Sequence, residues 1–286
     1  MCDDDIHQGL VQDPTISRRT FGVLGLAAAG VAGTAYAQSN VVEQDVEVKT
    51  PDGTADAALF HPQGQGTWPA VLIWTDILGL RPVFREMGRR LAAQGYVVLV
   101  PNPFYRSARA PVVTGAFDFN NPDDRQKVMA LRAAMTDDGV DRDAVAFLAF
   151  LDAQPQTDKA KKAGVQGYCM GGPLCFRTAA AVSNRIAAVG SFHGGGLVTK
   201  EPSSPHLLVG KTNAAYLVAI AQNDDMREPD AKDVLKKAFA DTSRKATVEV
   251  YPANHGWCVK GGEVYNEAAA EKAWAALTEL YKTNLA

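Results

Sequence analysis

The sequence predicts one α/β domain: a mainly parallel sheet with helices on both faces. Three features point there. Continuous apolar runs such as Ala70-Val71-Leu72-Ile73-Trp74 and Tyr96-Val97-Val98-Leu99-Val100 read as strands buried on both sides. Segments with helical spacing of apolar residues alternate with such runs along the chain, the pattern of repeated strand–helix units. The composition, 47% hydrophobic and 21% charged over 286 residues, supplies one large core.

The first 37 residues have a different character. Ser17-Arg18-Arg19-Thr20-Phe21 is a twin-arginine pair, followed by an Ala/Gly/Val/Leu run that ends in Ala35-Tyr36-Ala37, an A-x-A cleavage pattern. The run from Phe21 to Ala37 is too short and too weakly apolar to favour a spanning helix. The expectation is a twin-arginine export signal over residues 1–37. The mature domain then spans 38–286, engages the twin-arginine machinery once, and is periplasmic or secreted with no stable membrane insertion. The whole chain has 29 Lys+Arg against 32 Asp+Glu; the leader holds four acids and two bases, so the mature balance is −1. That carries no electrostatic footprint for nucleic acid or an anionic membrane. Cys2 leaves with the leader, and Cys169, Cys175 and Cys258 remain. An odd number in an oxidising compartment implies at least one free thiol.

Taken in order, Val41 to Lys49 alternates apolar and polar residues as a hairpin strand, Asp52-Gly53 is a turn, and Ala55 to His61 is its partner. The run 70–74 is a buried strand, Thr75 to Arg81 a loop, and Pro82 to Gln94 a helix closed by Gly95. The run 96–100 is the next strand, stopped by Pro101 and Pro103. Residues 104–140 are polar and irregular, predicting a long loop with one helix from Pro122 to Met135. Asp141 to Ala153 is a helix with Ala144, Phe147, Leu148 and Leu151 on one face. Further strands follow at Ile186 to Phe192, Ala215 to Ala221 and Ala246 to Tyr251, with a helix from Pro229 to Ala240. A final helix carries the stripe Ala270, Trp274, Leu277, Tyr281 and Leu285 into the core. There is no internal repeat or low-complexity tract.

Chemistry concentrates at Val165-Gln166-Gly167-Tyr168-Cys169-Met170-Gly171-Gly172-Pro173, a short strand, a glycine-pinched turn and a helix start. The turn has the form G-x-C-x-G, a nucleophile-elbow pattern with cysteine at its tip. A side chain held on so sharp a turn crowds the backbone on either side, so Gly167 and Gly171 do best without a Cβ. Pro173 suits the first helical turn. The helix N-terminus beneath the sulfur favours a thiolate over a thiol.

A cysteine nucleophile needs a base and a group that orients the base. Two strand ends downstream offer them: Gln222-Asn223-Asp224-Asp225, where either carboxylate could serve, and Ala253-Asn254-His255-Gly256-Trp257. His193, in Phe192-His193-Gly194-Gly195-Gly196, also follows a strand and is expected to line the pocket, as is Trp257. No second or third ligand stands at metal spacing around His193, so no metal site is expected. His61 and His206 read as surface-loop residues. The oxyanion hole falls to the backbone N–H groups of Met170 and Ile77. Asp76 either holds the thiol and His255 in a resting arrangement or caps the helix that begins near Pro82; the first is favoured.

Taken together, Gly167 to Gly172, the Asp224 strand end, Tyr251-Pro252-Ala253-Asn254-His255-Gly256 and Thr75-Asp76-Ile77-Leu78-Gly79 resemble the dienelactone hydrolase family, over about Val41 to Leu280. The resemblance implies an α/β-hydrolase fold and cofactor-free opening of enol-lactones. By it, Cys169 attacks the carbonyl, His255 shuttles the proton and Asp224 orients His255. Asp76 occupies a position where the family has a thiol-activating glutamate. Arg106, following Tyr105 in the expected substrate loop, matches an arginine that binds the substrate carboxylate. A second such arginine falls near Val259, which is uncharged, so a dienelactone carboxylate is expected to be held less firmly, and the substrate is expected to be a small ester or enol-lactone. The competing reading is a non-catalytic periplasmic small-molecule-binding protein on the same fold.

Overall fold

The structure is a computed structural model that describes residues 40–285. The twin-arginine leader, the Ala35-Tyr36-Ala37 pattern and the expected mature start at Gln38 lie outside the described residues. Eight strands form one sheet: β1 (Val41–Thr50), β2 (Gly53–Pro62), β3 (Ala70–Trp74), β4 (Val97–Pro101), β5 (Ala163–Tyr168), β6 (Ile186–Phe192), β7 (Ala215–Ala221) and β8 (Ala246–Tyr251). Their order across the sheet is β1-β2-β4-β3-β5-β6-β7-β8. The β1–β2 hairpin is antiparallel and joins β4 antiparallel; every later pairing is parallel. This is the fold class the sequence predicts, carrying an antiparallel hairpin at one edge.

The helices are α1 (Pro82–Ala92), α2 (Pro122–Ala133), α3 (Asp137–Ala153), α4 (Gly171–Ala181), α5 (Pro205–Leu208), α6 (Gln222–Arg227), α7 (Ala231–Asp241) and α8 (Glu267–Asn284). Strands β3, β4 and β5 are fully buried; β3 and β4 are apolar throughout, and β5 buries Gln166 with its amide bonded to Tyr168 and Tyr281. One core layer joins Phe84 and Leu91 of α1 to Leu277 and Tyr281 of α8. The other joins Phe147 and Leu151 of α3, Leu174 and Phe176 of α4, and Leu235 and Phe239 of α7. Because β3 neighbours β4 on one side and β5 on the other, the chain reverses direction across the sheet there. Sheets of this kind bind ligands at that switch, beyond the carboxyl ends of the strands.

Several boundaries differ from the sequence reading. Helix α3 starts a turn early, because the Thr136 hydroxyl accepts the Gly139 N–H and Asp137 and Asp138 sit favourably at the positive helix end. The short helices α5 and α6 are absent from the periodicity because so few residues show none. His61 is a buried residue of β2 rather than a surface-loop one, its Nδ1 bonded to the Pro62 carbonyl at 2.8 Å. No helix of the described residues is long and apolar enough to cross a membrane.

Candidate active site

Register brings the chemical residues together. Trp74 pairs with Gly167, Tyr168 with Phe192, Phe192 with Ala219, and Ala221 with Tyr251. The residues that follow β3, β5, β6, β7 and β8 therefore emerge at one edge: Thr75 to Leu78, Cys169, His193, Asp224 and His255.

Cys169 stands at φ +51°, in the left-handed region that few non-glycine residues occupy. The turn is made possible by its glycines. A Cβ on Gly167 would lie 2.2 Å from the Gly171 carbonyl oxygen, and one on Gly171 would lie 2.6 Å from the Trp74 carbonyl oxygen. The Gly172 N–H closes the turn on the Cys169 carbonyl at 3.0 Å. Cys175 is packed beneath the elbow, its thiol donating to the Gly171 carbonyl, and burial pushes it well above the usual thiol range. Cys169, Cys175 and Cys258 are all free.

His255 Nδ1 meets Asp224 Oδ2 at 2.7 Å, in a largely buried contact. Asp224 is held from its other side by Arg227 at 2.5 Å, and Asn223 Oδ1 accepts the His255 backbone N–H at 2.8 Å. Helix α6 thus binds both the ring and the backbone of the histidine loop. The neighbouring Asp225 pairs with Lys232 at 2.8 Å, which separates the two candidate acids. Burial alone works against a charged imidazole here. The Cys169 sulfur and the Asp224 carboxylate outweigh it and hold His255 well above its ordinary range. Its Nε2 is buried with no hydrogen bond of regular geometry, leaving that nitrogen for the sulfur side of the site.

The loop after β3 departs from expectation. Asp76 does not hydrogen-bond to the thiol or to His255. Both its oxygens are taken by Arg81, at 2.5 and 2.7 Å, and Oδ1 also accepts the Leu78 N–H at 3.0 Å. A short carboxylate beside a guanidinium five residues on folds back on its own loop. The Gly79 N–H bonds to the Asp76 carbonyl, which with Leu78 leaves the Ile77 N–H with no protein acceptor among the described residues. The Met170 N–H is likewise unclaimed among them, a freedom that an oxyanion donor needs.

Arg106 and Tyr105 also belong elsewhere. Arg106 spans Asp143 and Asp52, with contacts of 2.6 to 2.8 Å, and donates to the Gly139 carbonyl. Tyr105 donates to Asp143 at 2.7 Å. Two carboxylates, one of them on a fully buried side chain, consume the guanidinium as a clasp between the β1–β2 turn and α3. The sequence could not show this, since Asp52 and Asp143 lie 54 and 37 residues away. Trp257 is fully buried, stacks on Tyr251 and reaches the site through the His193 ring, 5.2 Å away. His193 itself is in the site, with Nδ1 3.2 Å from the Cys169 nitrogen. Asn223, Arg227 and Arg81 are the supporting residues that sequence reasoning missed; only their adjacency to singled-out acids marked them. No cluster of His, Cys, Asp or Glu suited to a metal occurs among the described residues.

A strained cysteine at a strand-to-helix turn, with a histidine and an acid from later strand ends, defines the α/β-hydrolase class. The family model of the dienelactone hydrolase family matches residues 55–285, and the chain belongs to that family. It is similar to a candidate carboxymethylenebutenolidase of Methylorubrum extorquens, 26% identical over 291 residues that cover 96% of each chain. It is also similar to the carboxymethylenebutenolidase of Rhodococcus opacus, 26% identical over 83% of this chain and 90% of that one. Among solved structures, a candidate dienelactone hydrolase from Klebsiella pneumoniae superposes with a TM-score of 0.73 at 20% identity, covering 85% of this chain and 98% of its own. The chain is a hydrolase of esters or lactones by its family.

Proposed function

We propose that the protein is a cysteine hydrolase of small, uncharged esters and lactones, exported by the twin-arginine route. Cys169 is the nucleophile, His255 the acid–base and Asp224 the group that orients and charges His255. The observation that carries this is the 2.7 Å contact of Asp224 Oδ2 with His255 Nδ1, beside a cysteine at φ +51°. In the first half-reaction the sulfur of the thiolate–imidazolium pair attacks the carbonyl carbon. The resulting oxyanion is met by the Met170 and Ile77 N–H groups, and His255 protonates the departing alkoxide, leaving a thioester on Cys169. Water then attacks that thioester, His255 takes its proton, and the thiolate leaves with the acid product released.

Substrate class follows from charge. Arg106 is neutralised by Asp143 and Asp52, and position 259 is valine, so neither place where the family resemblance locates a carboxylate-binding arginine presents a free guanidinium. Apolar Ile77, Leu78, Val112, Phe117 and Met170 share one core layer with Cys169, which suits an uncharged acyl or alcohol group. Export rests on the Ser17-Arg18-Arg19-Thr20-Phe21 pair and the Ala35-Tyr36-Ala37 pattern. N-terminal sequencing of protein recovered from a bacterial periplasm tests that part: a start at Gln38 is expected, and full-length protein retained in the cytoplasm contradicts it.

The activity test is p-nitrophenyl acetate hydrolysis by the mature domain, with and without iodoacetamide and in Cys169→Ala. Turnover abolished by both treatments is expected, with neutral lactones preferred to carboxylated ones. Saturable ligand binding without turnover supports the carrier reading instead.

A further inference from the structure

Two non-glycine residues at the site have positive φ, Cys169 at +51° and His193 at +39°, and one hydrogen bond joins them. The Cys169 N–H points at both the Phe192 carbonyl, at 3.0 Å, and His193 Nδ1, at 3.2 Å. A backbone N–H can only donate, so Nδ1 must be the unprotonated nitrogen and the ring's proton sits on Nε2. That Nε2–H is buried with no acceptor. An unpaired buried donor bears its full desolvation cost, which a purely structural side chain at this position would avoid. The His193 ring stands edge-on to the His255 ring, centroids 4.8 Å apart, and is 1% exposed. Its own backbone N–H is tied to the Ala219 carbonyl at 2.8 Å, and Gly194 beside it touches Gly172 of the elbow helix, so it has little freedom to turn away.

Resting on the catalytic reading above, we infer that His193 is a positioning residue for the nucleophile: as a neutral, Nε2-protonated ring, it pins the backbone of Cys169 through Nδ1 and stands as the uncharged neighbour of His255. The geometry requires neutrality. A proton on Nδ1 would face the Cys169 N–H donor to donor, breaking the pin and setting a second cation beside the first. Burial, reinforced by His255, pushes the His193 ring well below the ordinary histidine range, in keeping with that state. The two histidines are thus driven in opposite directions, one to carry charge and one to refuse it.

The first test is the two-bond 1H–15N correlation spectrum of the histidine rings in the full mature protein near pH 7. His193 should give the neutral Nε2–H tautomer pattern; an Nδ1–H or cationic pattern overturns the inference, and needs no variant. The second compares His193→Asn, whose side-chain oxygen can replace Nδ1 as acceptor, with His193→Phe, which keeps a ring and loses the acceptor. With p-nitrophenyl acetate, His193→Phe should lose at least tenfold in kcat with KM within twofold, and His193→Asn should recover most of that loss. Equal losses in both variants, or no loss in either, overturn it. The parent reading is separable: if Cys169→Ala retains full turnover, Cys169 is not the nucleophile, whereas failure of the His193 comparison with Cys169→Ala inactive overturns the positioning role alone.

Discussion

Replacing Asp224 by asparagine changes one oxygen for one nitrogen, yet it should cripple the site. The substitution removes the charge from a 2.7 Å hydrogen bond to His255 Nδ1, between side chains only 6% and 14% exposed. Removing one partner of a buried charged pair costs about 3–5 kcal/mol. That agrees with roughly 4 kcal/mol for unit charges 4 Å apart at an effective dielectric near 20. At about 1.36 kcal/mol per decade, kcat should fall roughly 100- to 5,000-fold. The amide can also present its NH2 group to Nδ1, favouring the tautomer that turns a proton towards the sulfur. Arg227, the carboxylate's other partner, is left with an amide in place of a charge. The assay is steady-state p-nitrophenyl acetate hydrolysis, with the rate of iodoacetamide alkylation at Cys169 followed across pH 6–9 by peptide mass spectrometry. Both rates should drop near neutral pH as the imidazolium partner of the sulfur weakens. A variant with kcat within threefold of the parent and an unchanged alkylation profile would refute the reasoning.

Other outcomes follow from the neighbouring ion pairs and rings. Arg106→Ala leaves the fully buried Asp143 carboxylate without its cation, held only by the Tyr105 hydroxyl, so it should lower Tm by about 10 °C, the scale of a 3–5 kcal/mol loss in a domain this size. Below Tm its KM should be unchanged; a raised KM with an unchanged Tm would return Arg106 to the substrate site. Asp76→Ala frees Arg81 and the Leu78 N–H and should cut kcat about tenfold by loosening one oxyanion donor. Its Cys169 alkylation rate should stay at the parent value, and a fall there would mean Asp76 acts on the thiol. The two histidines should shape stability in opposite senses. His255 is raised above 6.5, so its contribution is complete below that pH and fades as pH climbs through its folded value. His193 is lowered below 6.5, so its contribution is present above that pH and fades as pH falls through its folded value. Tm measured from pH 4 to 9 should decline at both ends, with the acid slope reduced in His193→Asn; an unaltered acid slope counts against the buried neutral ring.

Much of this was legible in residue order because burial speaks locally. The run 70–74 is a strand with the same bounds as its apolar residues, since a strand covered on both faces has no polar position to blur its ends. The elbow declared itself through Gly167 and Gly171, whose hydrogens are the only substituents that fit. Asp224 and His255 were found because strand ends in a parallel sheet share one edge. What stayed hidden was pairing. Whether Asp76 faces the thiol or Arg81, and whether Arg106 faces substrate or Asp52 and Asp143, depends on which charges the folded chain sets side by side. Family correspondence sets Asp76 against the thiol and Arg106 against the substrate, and their nearest opposite charges turn both side chains to other partners. The sequence predicts His193 only as pocket lining; its contact with the Cys169 N–H depends on the register of β5 with β6.

The central claim is that acyl transfer passes through the sulfur of residue 169. Acid-quenching the mature protein within milliseconds of mixing with p-nitrophenyl acetate, followed by peptide mass spectrometry, tests it directly. An acetyl group on the peptide holding Cys169, formed in a burst and cleared at the turnover rate, is the predicted result. Turnover with no adduct there, or with the acetyl group on Cys258 or a serine, would contradict it.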